Sequence, residues 1–181
     1  MRFSRQLIAI VTATLVSLPL GAQVHSPAAF DITVGSHTVK GGLIDFRTGG
    51  LFDVLATGRV RASPQRAVVA GLGVSTVLGG FGDRCLITPS GGCAGQGNFV
   101  IVNALVGVDK ALGAGSGRLL IGPAVYDGAD AHSVGVQGRV DLTSPARAHL
   151  AFGLMGRATV LPSHNGQSLV AWATGVSLAF R

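Results

Sequence analysis

The chain has 181 residues, 28 of them glycine, and carries fourteen basic and eight acidic side chains for a formal net charge of +6. Every acid is an aspartate, and the charges are scattered rather than gathered into a basic patch with interleaved aromatics, which argues against a nucleic-acid partner. The mean hydropathy is positive, yet beyond the N-terminus no apolar run is long enough for a spanning helix; the nearest, 67–81, is broken by Ser75, Thr76 and several glycines.

Residues 1–22 read as a secretory signal peptide. Arg2 and Arg5 form a basic start, 7–16 is apolar, and Leu20-Gly21-Ala22 is a small-residue cleavage site before Gln23. Residues 23–181 are then one domain. Cys85 and Cys93 are the only cysteines, and export to an oxidising compartment predicts that they join as a loop disulfide. No further Cys or His at ligand spacing accompanies them, so no metal or cofactor is expected.

The first predicted strand is 27–34, with Phe30, Ile32 and Val34 on one parity and Asp31 and Thr33 on the other. Residues 35–50, glycine-rich and holding His37 and Lys40, read as a loop with short strand extensions at either end. The second strand, 51–61, sets Phe52, Val54, Ala56 and Val60 against Asp53, Thr57, Arg59 and Arg61. A connection at 62–65 contains Pro64. The third strand, 66–77, alternates weakly because valines occupy both parities. A long Gly-rich loop, 78–97, holds both cysteines.

The fourth strand, 98–108, sets Val100, Val102, Val106 and Val108 against Ile101, Asn103 and Leu105. After a turn at 109–117 comes the fifth, 118–126. There Leu119, Ile121 and Val125 oppose Arg118 and Ala124, and Pro123 demands a bulge or an unpaired position. The sixth, 131–142, alternates most clearly, with Val134, Val136, Val140 and Leu142 against Ser133, Gln137, Arg139 and Asp141. The seventh, 147–161, opposes Leu150, Phe152, Leu154 and Val160 to His149, Arg157 and Thr159, with Met155 out of keeping among the small and polar set. The last, 167–180, carries Val170, Trp172, Val176, Leu178 and Phe180 on one face and small residues on the other.

A strand sends successive side chains to opposite faces, so each segment has a large apolar face and a small or polar one. In a soluble barrel the large apolar face packs inward, and the outer face is rich in Lys and Glu. Here glutamate is missing and the strands are long. The pattern predicts an all-β, eight-stranded antiparallel up-and-down transmembrane β-barrel, closed because lipid supplies no partner for an open edge. The polar set Asp53, Arg59, Asn103, Gln137, Arg139, Asp141 and Arg157 is expected to fill the lumen. Short connections at 62–65, 109–117 and 143–146 would lie at one end, and longer loops at 35–50, 78–97, 127–130 and 162–166 at the other.

On this pattern, and most specifically at Gly175-Val176-Ser177-Leu178-Ala179-Phe180, the chain resembles the small eight-stranded outer-membrane barrel proteins of Gram-negative bacteria, the OmpA/OmpX-like superfamily. The resemblance implies residence in the outer membrane, lipid and lipopolysaccharide as surroundings, and an assembly signal at Trp172, Val176, Leu178 and Phe180 read by the outer-membrane assembly machinery. Arg181 after Phe180 departs from that pattern. The expected role is a non-enzymatic, monomeric barrel with a structural or surface-interaction function. The alternatives are a lipid-modifying enzyme (acyl hydrolase or transferase), a narrow ion-leaky channel, or a secreted soluble β-sandwich or barrel. Acyl transfer needs a nucleophile, a base and an orienting acid. The weak catalytic candidates are His164 with Ser163 or Ser168 and with Asp127 or Asp130 as the acid, and a second cluster of His132 and Ser133 at the same end; His149 reads as a lumen hydrogen-bonding group.

Overall fold

The computed structural model describes residues 28–41, 44–63, 66–78, 86–87, 93–94, 99–127, 132–147, 149–161 and 169–180. The strands in chain order are β1 (Ala29–Gly41), β2 (Ile44–Ala62), β3 (Arg66–Leu78), β4 (Leu86–Ile87), β5 (Cys93–Ala94), β6 (Phe99–Leu112), β7 (Gly115–Asp127), β8 (His132–Thr143), β9 (Leu150–Leu161) and β10 (Leu169–Phe180). Eight of them close a barrel in the order β1-β10-β9-β8-β7-β6-β3-β2, and the short β4–β5 pair lies in the connection between β3 and β6. Every barrel neighbour is antiparallel. The seam is the ladder between the first and last strands, running from Phe30 opposite Phe180 to Lys40 opposite Val170.

The eight barrel strands are 12 to 19 residues long, more than the nine to eleven or so that a tilted crossing requires. Several spans differ from the sequence reading: the expected 78–97 loop contains the β4–β5 pair, and the strand expected from 147 begins at Leu150. Residues 35–50 are not a long loop: β1 runs on to Gly41 and β2 begins at Ile44. The glycines there do not break the ladder, because Gly35, Gly49 and Gly50 pair like other residues with Gly175, His37 and Ser36. Likewise β6 continues to Leu112 and β7 starts at Gly115, so the expected 109–117 turn shrinks to Gly113 and Ala114, with Gly113 at a positive φ of 60°. At Pro123 the expectation holds. The β6–β7 ladder skips from Asn103–Ala124 to Val106–Ile121, since proline has no N–H to donate there.

The barrel is apolar on the outside. Val34, Val60, Leu119, Ile121, Val134, Phe152, Leu154 and Val176 are all more than half exposed. Inside lie two apolar clusters. Leu51, Val77, Ile101, Tyr126, Met155, Leu161, Ala171 and Ala173 pack towards the end of the long connections. Leu55, Ala67, Val69, Leu105 and Leu120 form the second. Met155, anomalous by sequence, is a core residue of the first cluster. Tyr126 and His37 also point inward, their rings 6.2 Å apart, so Tyr126 belongs to no outer aromatic girdle and His37 to no loop.

Candidate functional site

The polar interior begins from strand parity. On β2, Leu51, Asp53, Leu55 and Thr57 share the inward face; on β8, Gln137, Arg139 and Asp141 do; on β9, Arg157 and Thr159. Bare charges cost several kcal/mol each in such surroundings unless they are paired and hydrogen-bonded. Here they are. Asp53 accepts hydrogen bonds from Ser75 Oγ at 2.5 Å and Arg157 NH1 at 3.2 Å through Oδ1, and from Arg139 NH1 at 2.5 Å through Oδ2. Arg139 Nε donates to both oxygens of Asp141, at 2.9 and 3.1 Å. Asp141 lies 3.9 Å from Arg118 NH1, which donates to Asp31 Oδ2 at 2.6 Å.

The result is one chain of alternating sign: Arg157, Asp53, Arg139, Asp141, Arg118, Asp31. It ties β9, β2, β8, β7 and β1 together. Its three guanidiniums and three carboxylates balance, and every member is at most 4% exposed.

Glycines make the room. A Cβ on Gly73 would fall 2.5 Å from Asn103 Oδ1, and one on Gly153 would fall 2.6 Å from Ser177 Oγ. By contrast, a Cβ on Gly58, Gly138 or Gly156 meets nothing within 4 Å. Interior glycine thus hosts the large polar side chains of neighbouring strands, as the narrow lumen of an eight-stranded barrel requires.

Of the seven expected lumen residues, Asp53, Arg139, Asp141 and Arg157 join the chain of charges. Asn103 and Gln137 are buried beside it, Gln137 accepting from Thr159 Oγ1 at 3.5 Å. Arg59 does not belong. It is exposed at the end of β2, beyond the last buried position, Thr57. Arg61 also departs from its expected face: a register shift between Arg59 and Arg61 sets it opposite Val68, which faces outward. His149 is no lumen group either. It sits exposed in the turn before β9 with φ at 69°, because the chain reverses there rather than continuing a strand from 147.

Asp31 and Arg118 were missing from the expected set although their parities already placed them opposite Phe30 and Leu119. The signal was the parity itself, which applies to strand ends as much as to strand centres. Trp172, Val176, Leu178 and Phe180, expected from the sequence to form an assembly signal, share one face of β10. Three of them meet apolar partners across the seam: Val176 faces Val34, Leu178 faces Ile32 and Phe180 faces Phe30. The Phe30 and Phe180 rings are 6.3 Å apart.

Cys85, Asp130, Ser163, His164 and Ser168 lie outside the described residues, as do residues 1–27; Cys93 and His132 are described only as strand backbone. The interior charges are paired with one another, although Arg118 Nε, Arg139 NH2 and Arg157 NH2 are buried without a hydrogen-bond partner among the described residues. Ser75 donates directly to a carboxylate that two guanidiniums also occupy, which leaves no base to activate it. Among the described residues no three His, Cys, Asp or Glu side chains converge as a metal site.

No protein-family model and no curated protein matches the chain. Solved structures do. The attachment invasion locus protein Ail of Yersinia pestis is 13% identical, the match covering 84% of this chain and 97% of that one, with a TM-score of 0.50. Neisserial surface protein A is 11% identical over 84% of this chain and 97% of its own, with a TM-score of 0.55. At these identities the likeness is one of fold: an eight-stranded antiparallel barrel with the same architecture as these two proteins.

Proposed function

We propose that the protein is a non-enzymatic barrel of the Gram-negative outer membrane with a structural or surface-contact role. The observation that carries this is the inversion of polarity. Arg139 is 1% exposed inside, while Phe152 is 69% exposed outside. A soluble barrel would reverse both; lipid around the wall accounts for them together. The same burial argues against a conducting channel, because guanidiniums lining a water-filled pore would be wet.

The contact surface on this reading is the end with the longer connections, at 79–98 and 162–168, since the first connection is reduced to residues 42–43. The names of the two similar proteins speak of attachment and invasion for one and of a surface location for the other. Contact with a surface partner or with lipopolysaccharide is the corresponding role for this chain, as a monomer delivered through the assembly signal on β10. Refolding into detergent micelles tests the reading. A heat-modifiable gel band with no conductance in planar bilayers is expected. A chain that stays monomeric and soluble without detergent would overturn the membrane assignment. Release of fatty acid from lipopolysaccharide, lost in His164→Ala, would overturn the non-enzymatic one.

A further inference from the structure

The tight-turn end of the barrel carries a feature that the lumen does not explain. In β2 the regular alternation would send Arg61 inward with Asp53 and Thr57. The register shift after Arg59 prevents this, and Arg61 lies opposite outward-facing Val68. Bulges of this kind re-aim a side chain at the cost of a regular pair. On the neighbouring strands Arg66 faces Lys110 directly across the β3–β6 ladder. Both have the parity of exposed Val68 and Val108, so both point out from the wall. Like charges in direct cross-strand register are destabilising, and Arg61 is the diagonal neighbour of Arg66. Three exposed cations therefore share one outer rim across β2, β3 and β6.

Among the described residues nothing on that rim neutralises them: none of the three has an ion pair there, and the carboxylates of this half of the barrel, Asp31, Asp109 and Asp141, are buried. Just above the cations the wall is apolar, with Val60, Val68, Val108 and Leu119 40 to 69% exposed. Cations at the base of an apolar wall match an amphiphile with an anionic head and acyl tails. We infer that Arg61, Arg66 and Lys110 form a binding site for an anionic glycerophospholipid, the phosphate on the cations and the acyl chains along the valine wall. This rests on the outer-membrane reading, in which the end holding both strand termini and the tight turns meets the phospholipid leaflet.

The test is native mass spectrometry of the refolded chain in detergent micelles, with dioleoyl phosphatidylglycerol or dioleoyl phosphatidylcholine added at equal concentration. Phosphatidylglycerol should be retained in preference. Each basic residue at an anionic surface contributes roughly a fivefold preference, so Arg61→Gln/Arg66→Gln/Lys110→Gln should bind at least about tenfold more weakly, while Arg147→Gln, in the β8–β9 turn, should bind normally. Lys110→Glu supplies an independent arm. It should raise resistance to denaturant by relieving the clash with Arg66, yet lower phosphatidylglycerol retention, a split that a purely structural role would not give. Equal retention of the two lipids, an unaffected triple variant, or displacement by excess inorganic phosphate would each overturn the lipid site. Heat-modifiable migration on the same samples separates the two levels: a shifted band without lipid preference removes this site alone, and no shifted band removes the barrel reading with it.

Discussion

Replacing Asp53 with asparagine keeps the shape of the side chain and removes one negative charge from the centre of the lumen network. In the parent the buried chain of six is neutral. In Asp53→Asn it carries one excess positive charge, and the geometry says where the damage falls. Arg139 keeps its two bonds to Asp141, at 2.9 and 3.1 Å. Arg157 loses its one carboxylate, 3.2 Å away, and keeps only Ser75 at 2.6 Å. Breaking a buried pair and stranding the partner costs about 3–5 kcal/mol, and that is the expected loss for Asp53→Asn. Adding Arg157→Met removes the stranded charge and restores balance, with Arg139 and Arg118 against Asp141 and Asp31. The double variant should therefore be more stable than Asp53→Asn alone, by roughly half of that loss or more. The assay is denaturant unfolding of the refolded barrel in lipid vesicles, followed through Trp172, the single tryptophan of the chain. If the two substitutions simply add, or if Asp53→Asn costs under about 1 kcal/mol, the balanced-network argument is wrong.

On the outer face, Leu154 is 62% exposed between Leu142 and Val176; Leu154→Arg should cost about 2–4 kcal/mol when the barrel is unfolded from vesicles, and an unchanged midpoint would contradict a lipid-facing wall. Gly73→Ala should cost about 1–3 kcal/mol because the new methyl overlaps the Asn103 amide, whereas Gly138→Ala, with open space at its Cβ, should cost less than the interior change; equal effects of the two in the same unfolding assay would refute the packing account. His149→Gly should be neutral or stabilising by up to about 1–2 kcal/mol, since φ at 69° strains a residue with a Cβ; a clear loss of stability would show that the imidazole contributes more than its backbone costs.

The barrel was largely legible because its pattern is local. Alternation in β8, with Val134, Val136, Val140 and Leu142 against Gln137, Arg139 and Asp141, states which side chains face outward without reference to any other strand. The same holds for β10 and β9. The errors fell where a local rule meets a partner strand. Glycines at 35, 49 and 50 looked like loop chemistry, but pairing with β10 and within the β1–β2 ladder holds them extended. Arg61 had lumen parity by count, and the register shift against β3 reversed its face. His149 lay in a run that continued the β9 alternation on paper, yet the chain turns there.

What the amino-acid order determined by itself is therefore the eight barrel strands, the sign of each face away from the Arg61 bulge and the closing role of the last strand, since a side-chain period of two is imposed by one strand's own backbone. Which charge meets which was decided only by the tertiary structure. Asp53 and Arg157 are 104 positions apart and Asp31 and Arg118 are 87 apart. They come together because closure and register bring distant strands to one lumen, and no periodicity within a strand encodes a partner across the barrel.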